Sequence, residues 1–445
     1  GRAKFSDQQW TAGPMIGFGD EGGQIEGART DQVYNPALPD DLVGKVIQSA
    51  PADIENAIVA AQRGFDEWSA LSVADRSERI SRVADLFEEH ADELFTLTTR
   101  EAGKTLLDAV GEVREAVDFA RYYAGEALRI NEETGSAGTV KGRGVMTCIS
   151  PWNFPLAIFA GQVLASLAAG NAVIAKPAGQ TALIAARAVE LMHQAGIPTA
   201  ALQLLPGDGA TVGAALTSDA RIDGVCFTGS TATAQYINKA MAEGMAPDAP
   251  LVAETGGLNA MIVDSTALPE QVVRDVLASS FQSAGQRCSA LRMLYVQKDI
   301  ADHLLEMLFG AMDELRVGNP WLLSTDVGPV IDLDAAREIR EDSYVTDNSI
   351  YGQQFWPVGG QAAQAPAVTP EPVVVTEEPV VETPATETPA PVAEAPATEA
   401  PVTEEQLSQA LAGNSGNTAP VATESEPQPA EQPVAEAQPE QPATP

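Results

Sequence analysis

Between Gly144 and Glu254 the chain alternates short apolar runs with helical patterns. GVMTCIS, NAVIAKP, LQLLPG and DGVCFTGS are the apolar runs. A stretch from Leu156 to Ala169, then TALIAARAVELMHQAG, ATVGAALTS and TATAQYINKAMAEG, supply the helices. Strand and helix in strict alternation predict a parallel sheet with crossover helices. Ligands of such sheets bind at the carboxyl ends of the strands. Glycines and small hydroxyls gather at those ends, in PGDG and FTGST, which is the first sign of a dinucleotide site.

The flanks read differently. Residues 1 to about 50 look like an irregular lead-in, with GFGDEGG and the turn-prone NPALPDD. Pro51 suits a first helical turn, and Ile54, Ile58, Ala61 and Phe65 follow at helical spacing. DRSERISRVADLFEEHADELFTLTTREAG reads as a second helix, and a third is predicted from Thr105 to about Arg129. At the other end, residues 361–445 hold 14 Glu, 16 of the 31 Pro and neither Lys nor Arg. Low hydrophobicity with one sign of charge cannot repay the entropy of ordering, so an extended, solvated tail is expected. The domain reading is therefore 1–254 for a helical region with a dinucleotide-binding domain, 255–340 for a catalytic domain, and 341–445 for an irregular to disordered tail.

Charge and cysteine count exclude several classes. A formal net charge of -36, still -22 without the tail, argues against binding nucleic acid through its phosphates. No apolar run approaches the ~20 residues that span a bilayer, and no signal-peptide pattern opens the chain. Cys148, Cys226 and Cys288 are too scattered for a disulfide framework or a CxxC metal site, so a cytoplasmic setting and no metal are expected.

Four stretches carry candidate chemistry. LPGDGATVG puts Gly207, Gly209 and Gly213 at a strand-to-helix junction, although GxGxxxG is looser than the dinucleotide fingerprint and also fits a plain tight loop. FTGST places Gly229 and Ser230 before a helix, where N–H groups favour phosphate. Glu254 follows an apolar strand in LVAETGGLNA, as a base if desolvated or as a solvated turn residue otherwise. Cys288 in SAGQRCSA reads either as a nucleophile or as a small buried hydrophobe. A thiol nucleophile needs a base or a depressed pKa. His90, His193 and His303 lie in helical patterns away from it, so a Cys–His hydrolase has little support.

The ordered set PWNFP, AKPAGQT, LPGDGATVG, FTGST, ETGG and GQRCSA resembles the aldehyde dehydrogenase superfamily. WTAGPMIG, EVREAVDFARYYAGE, AETGGLNAMIVDS and ELRVGNP sharpen the resemblance toward 1-pyrroline-5-carboxylate dehydrogenase, as in the C-terminal module of bifunctional proline utilization A proteins. It covers roughly residues 10 to 338. The resemblance implies a Rossmann-type parallel sheet with helices on both faces and NAD-dependent oxidation of L-glutamate γ-semialdehyde to L-glutamate. It implies Cys288 as nucleophile, Asn153 as oxyanion donor and Glu254 as the base that activates water. Trp152, Lys176, Gly209, Gly213, Gly229 and Ser230 would contact the cofactor. Ser289, Phe154 and Glu115 would meet the substrate. An upstream proline dehydrogenase module and a homo-oligomer are consistent with it.

Two departures qualify these expectations. KPAGQT replaces the family's KPAEQT, so Gly179 stands where a ribose-binding glutamate is usual, and NADP becomes an alternative cofactor. The family pattern also stops after DVGPVIDLDAAREI, without the later ExFGP and PFGG segments. A truncated catalytic domain follows, and with it a rival reading: a catalytically impaired, cofactor-binding or partner-recruiting fragment.

Overall fold

A computed structural model describes residues 2–17, 29–134 and 141–342. The expected tail, 341–445, lies outside the described residues except for the end of one helix.

The first 50 residues are not an irregular lead-in. They carry three strands: β1 (Trp10–Ala12), β2 (Thr30–Asn35) and β3 (Leu38–Ile47). Strands β2 and β3 form an antiparallel hairpin across the Pro36–Ala37 turn, and β1 runs parallel to β3. The polar sequence TDQVYN concealed β2, whose residues are largely exposed on a small outlying sheet.

Helix α1 (Pro51–Ser69) starts as expected. The long pattern after it splits into α2 (Val73–Glu89) and α3 (Ala91–Ala102), because His90 caps the end of one and the start of the other. Helix α4 (Leu106–Thr134) is longer than the spacing indicated.

The alternating segment then unrolls as β4 (Val145–Ile149), α5 (Ala157–Ala168), β5 (Ala172–Lys176), α6 (Ala182–Gln194) and β6 (Leu202–Leu204). A π-helical turn at Gly209–Gly213 leads into α7 (Ala214–Ser218), followed by β7 (Gly224–Gly229), α8 (Thr231–Gly244) and β8 (Leu251–Thr255). These strands form one parallel sheet in the order β6-β5-β4-β7-β8. It is the α/β architecture read from the sequence.

Side-chain alternation along the strands feeds two cores. Cys148, Val173, Ala175 and Leu204 face α5, α6 and the α2–α4 layer. Val145, Ile174, Val225 and Phe227 face α1, the π turn and α8. Strands β4, β5 and β6 are thereby dry on both faces, as parallel strands covered by helices are, while the outer strand β8 is largely exposed.

A second, smaller sheet pairs β9 (Asn259–Val263) with β10 (Leu291–Val296) in parallel, linked through α9 (Pro269–Phe281). Val263, Val272, Val276, Leu291, Leu304 and Leu308 join this sheet to α9 and to α10 (Lys298–Asp313). Helix α11 (Leu333–Asp342) ends the described residues. Among the described residues no helix is long and apolar enough to cross a membrane.

Candidate active site

Cys288 sits in the connection between α9 and β10, where the backbone is unusual. Ser283 and Ala284 have φ of 56° and 57°, and Gly285 has φ of 70°. Left-handed backbone is costly for residues with a Cβ and persists only where the surroundings over-determine it. Here Gln286 Nε2 donates to the Ser283 carbonyl at 2.9 Å, and Arg292 donates to the Gly285 carbonyl at 2.8 Å. Gln286 Oε1 in turn accepts the Ile331 N–H at 2.9 Å. The result is a braced turn with an exposed thiol just beyond it. Asn259, on β9, donates to the Cys288 carbonyl at 2.7 Å.

Asn153 follows β4 and comes back to this turn. Its Nδ2 donates to the Gln286 carbonyl at 2.9 Å, two residues before Cys288, and the amide's second hydrogen remains for another acceptor. Two cations approach the Phe154 ring, Lys104 Nζ at 5.1 Å and the Arg287 guanidinium at 5.4 Å from its centroid. Arg287 also pairs with Asp108 at 3.1 Å. Trp152 is partly buried beside Asn153, and Ser289 is exposed next to Cys288.

Beneath this cluster lie two charges, Lys104 and Glu112, that sequence reasoning did not find. Lys104 and Glu112 are both buried and stand 3.6 Å apart. Burial pushes the Lys104 ammonium down, opposed by Glu112 and Asp108. Burial pushes Glu112 up, opposed by the Lys104 charge and by N–H groups of Leu156 and Ala157 at the start of α5. Glu115, half-buried on α4, is likewise raised by burial and held down by Arg287 and Lys104. The sequence signal was slight: a lysine after the left-handed helix end Gly103, and an acidic residue on an otherwise apolar face of α4.

The remaining candidates gather elsewhere. Lys176 ends β5, is buried, and donates to the Pro177 carbonyl at 3.0 Å. Burial lowers it to about 8, against the pull of Asp208. Its side chain runs past Gly213, whose Cα hydrogen points to the Lys176 stem. With Gly179, Gly207, Asp208 and Gly209 it lines a cleft of about 810 Å³ at the carboxyl end of the sheet. Glu101 is also on this cleft, but its carboxyl closes the first turn of α6. Gly229 ends β7, and Ser230 caps α8 by accepting the Thr233 N–H at 3.1 Å.

The structure thus joins Asn153, Phe154, Glu115 and Cys288 around Lys104 and Arg287, and joins Lys176 and Gly209 at the cleft, with Gly213 buried beside the Lys176 stem rather than on the cleft lining. Glu254 is exposed on the outer strand β8, opposite Thr228 in register. Among the described residues no hydrogen bond or ion pair ties it to either group. No cluster of three or more His, Cys, Asp or Glu able to hold a metal occurs among the described residues.

Comparison with known proteins gives concordant findings. A family model described as "Aldehyde dehydrogenase family" matches residues 25–430. The bifunctional protein PutA of Klebsiella aerogenes is 51% identical over 335 residues, covering 75% of this chain and 25% of that protein. The chain therefore spans about a quarter of the length of this relative. A 1-pyrroline-5-carboxylate dehydrogenase of Geobacillus kaustophilus is 33% identical over 355 residues, covering 77% of this chain and 68% of the relative. Among solved structures, a Thermus 1-pyrroline-5-carboxylate dehydrogenase with bound NAD superposes with a TM-score of 0.70 at 32% identity, over 75% of this chain and 66% of that one.

Proposed function

The chain belongs to the aldehyde dehydrogenase family, and from that premise we propose that it oxidises L-glutamate γ-semialdehyde to L-glutamate with NAD, a step of proline degradation. The observation that carries the reading is the bond from Asn153 Nδ2 to the Gln286 carbonyl, which holds an oxyanion donor against the turn that presents Cys288.

The chemistry follows from the groups present. The Cys288 thiolate adds to the aldehyde carbon, forming a C–S bond while the carbonyl π electrons move to oxygen. The free Asn153 amide hydrogen and the Cys288 backbone N–H stabilise that oxyanion. A bound NAD would supply the acceptor for the hydride that must leave this carbon. The remaining thioester on Cys288 is attacked by water, with Glu254 taking the water's proton, and glutamate leaves as the thiol is restored. Glu115, held near Arg287 and Lys104, would meet the substrate's ammonium group, with Phe154 and Ser289 along the aldehyde chain.

The residues fit the cofactor. A buried lysine bonded to a backbone carbonyl, facing a cleft with open space above Gly179 and Gly209, suits the polar half of an adenosine ribose. Gly229 and Ser230, and Trp152, would lie along the rest of the dinucleotide. Without a carboxylate at position 179 to repel it, a 2′-phosphate is tolerated better than in relatives with the glutamate. The likeness to bifunctional PutA supports work beside a proline dehydrogenase module in a longer parent.

Glutamate semialdehyde-dependent NADH formation by this chain and by Cys288→Ala is the test. Turnover lost in the variant, with NAD affinity kept, is expected. NAD binding without Cys288-dependent turnover would favour a cofactor-binding, partner-recruiting role instead.

A further inference from the structure

Lys104 is 5% exposed, yet its ammonium serves three separate elements. Nζ donates to the Asn153 carbonyl at 2.5 Å and to Ser283 Oγ at 2.8 Å. Its third direction is toward Glu112 Oε1 at 3.6 Å, an oxygen with no other partner. The same ammonium lies 5.1 Å from the centre of the Phe154 ring. Ser283 is the first of the left-handed residues before Cys288. Glu112 uses its other oxygen on the Leu156 and Ala157 N–H groups, which fixes the chain just after PWNFP.

A lysine that only neutralised Glu112 would not need two further acceptors drawn from strand β4's exit and from the α9–β10 connection. Each of its bonds ends on a segment whose exact placement decides where the Asn153 amide and the Cys288 thiol stand. The Lys104 bond fixes the Ser283 side chain while Gln286 fixes its carbonyl, and together they hold this residue at φ 56°.

We propose that Lys104 is a positioning residue for aldehyde oxidation: it locks the Asn153–Phe154 segment to the turn that presents Cys288. The proposal rests on the dehydrogenase reading of those two residues.

The test compares the full chain with Lys104→Met, with Lys104→Met/Glu112→Gln, and with Lys104→Arg. The double variant removes the brace together with the carboxylate that Lys104→Met alone would leave unpaired in the interior, so it folds even where the single variant does not. Three readouts are taken: NAD titration, steady-state oxidation of glutamate semialdehyde, and peptide-resolved hydrogen exchange. In the double variant NAD affinity should stay within about twofold, and kcat should fall on the order of 100-fold with a smaller change in KM. Exchange should quicken at 153–157 and 282–290 and stay unchanged in the strands β4, β5, β6 and β7 themselves, with Lys104→Arg recovering part of both losses. Unchanged kcat and unchanged local exchange in the double variant would overturn the proposal. So would faster exchange spread over the whole chain, which marks a general structural role. A wild-type chain without Cys288-dependent oxidation defeats the dehydrogenase reading instead, and a local exchange response there would still support the lock.

Discussion

Glu101, on α3, accepts the N–H of Leu183 at 2.7 Å and of Ile184 at 2.9 Å, closing the first turn of α6 from inside the protein. Burial raises this carboxyl to about 8, against those two bonds. A carboxyl whose folded pKa is raised favours folding most at low pH, and the contribution is lost as pH rises from its ordinary value through the folded one. Stability should therefore decline between roughly pH 5 and 8 by at most about 1.4 kcal/mol per pH unit from this group. Glu101→Gln should show a flatter dependence and lose one acceptor. Urea midpoints measured across pH 5 to 9 check this, and parallel curves for the two proteins would count against it.

Asn153→Ala should lower kcat by about 10²–10³-fold while leaving NAD affinity nearly unchanged if, as proposed, the amide acts on charge that develops only at the reacting oxygen. Steady-state kinetics beside an NAD titration separate the two effects. An equal loss in both would assign Asn153 to the fold of the turn rather than to the oxyanion.

Nothing lies within 4 Å of the Cβ position at Gly179, so Gly179→Glu is sterically free. It should raise the ratio of NAD to NADP affinity several-fold by supplying a ribose partner that repels a 2′-phosphate. Lys176 sharpens the same experiment. Lowered to about 8, it loses its charge as pH passes that value, so affinity for either cofactor should weaken above pH 8, and Lys176→Met should remove that dependence. Fluorescence titrations over pH 6.5 to 9.5 provide the measurement.

Ala284→Gly places a residue without a Cβ at φ 57°. Relief of the left-handed penalty, about 1–2 kcal/mol, exceeds the added chain entropy of about 0.5–1 kcal/mol, so stability should rise slightly. Turnover should fall, since a looser turn presents Cys288 less uniformly. A variant both less stable and equally active would contradict the account of the turn.

The legible parts of this protein were those encoded locally. Apolar runs bounded by Gly or Pro became β4, β5, β6 and β7, because a strand buried on both faces must be apolar throughout. Strand β2 was hidden, since a hairpin on an outlying sheet needs few apolar residues. The break at His90 was hidden too, because helical periodicity continues across it. Cys288, Asn153 and Lys176 carry motif signals. Lys104 carries almost none: its partners Asn153 and Ser283 lie 49 and 179 residues away, and only the folded chain makes them neighbours.

Four helical segments begin at the carboxyl end of the main sheet, and the protein's own acids occupy three of those starts. Glu112 fills that of α5, Glu101 that of α6, and Asp208 takes the Thr211 N–H at 2.6 Å before α7. Helix α8 opens instead on the uncharged Ser230. The chain meets the N–H groups at three of these four starts with its own carboxyl oxygens. An anion drawn to this rim would meet carboxyl groups at three of the four starts and a neutral hydroxyl at the fourth.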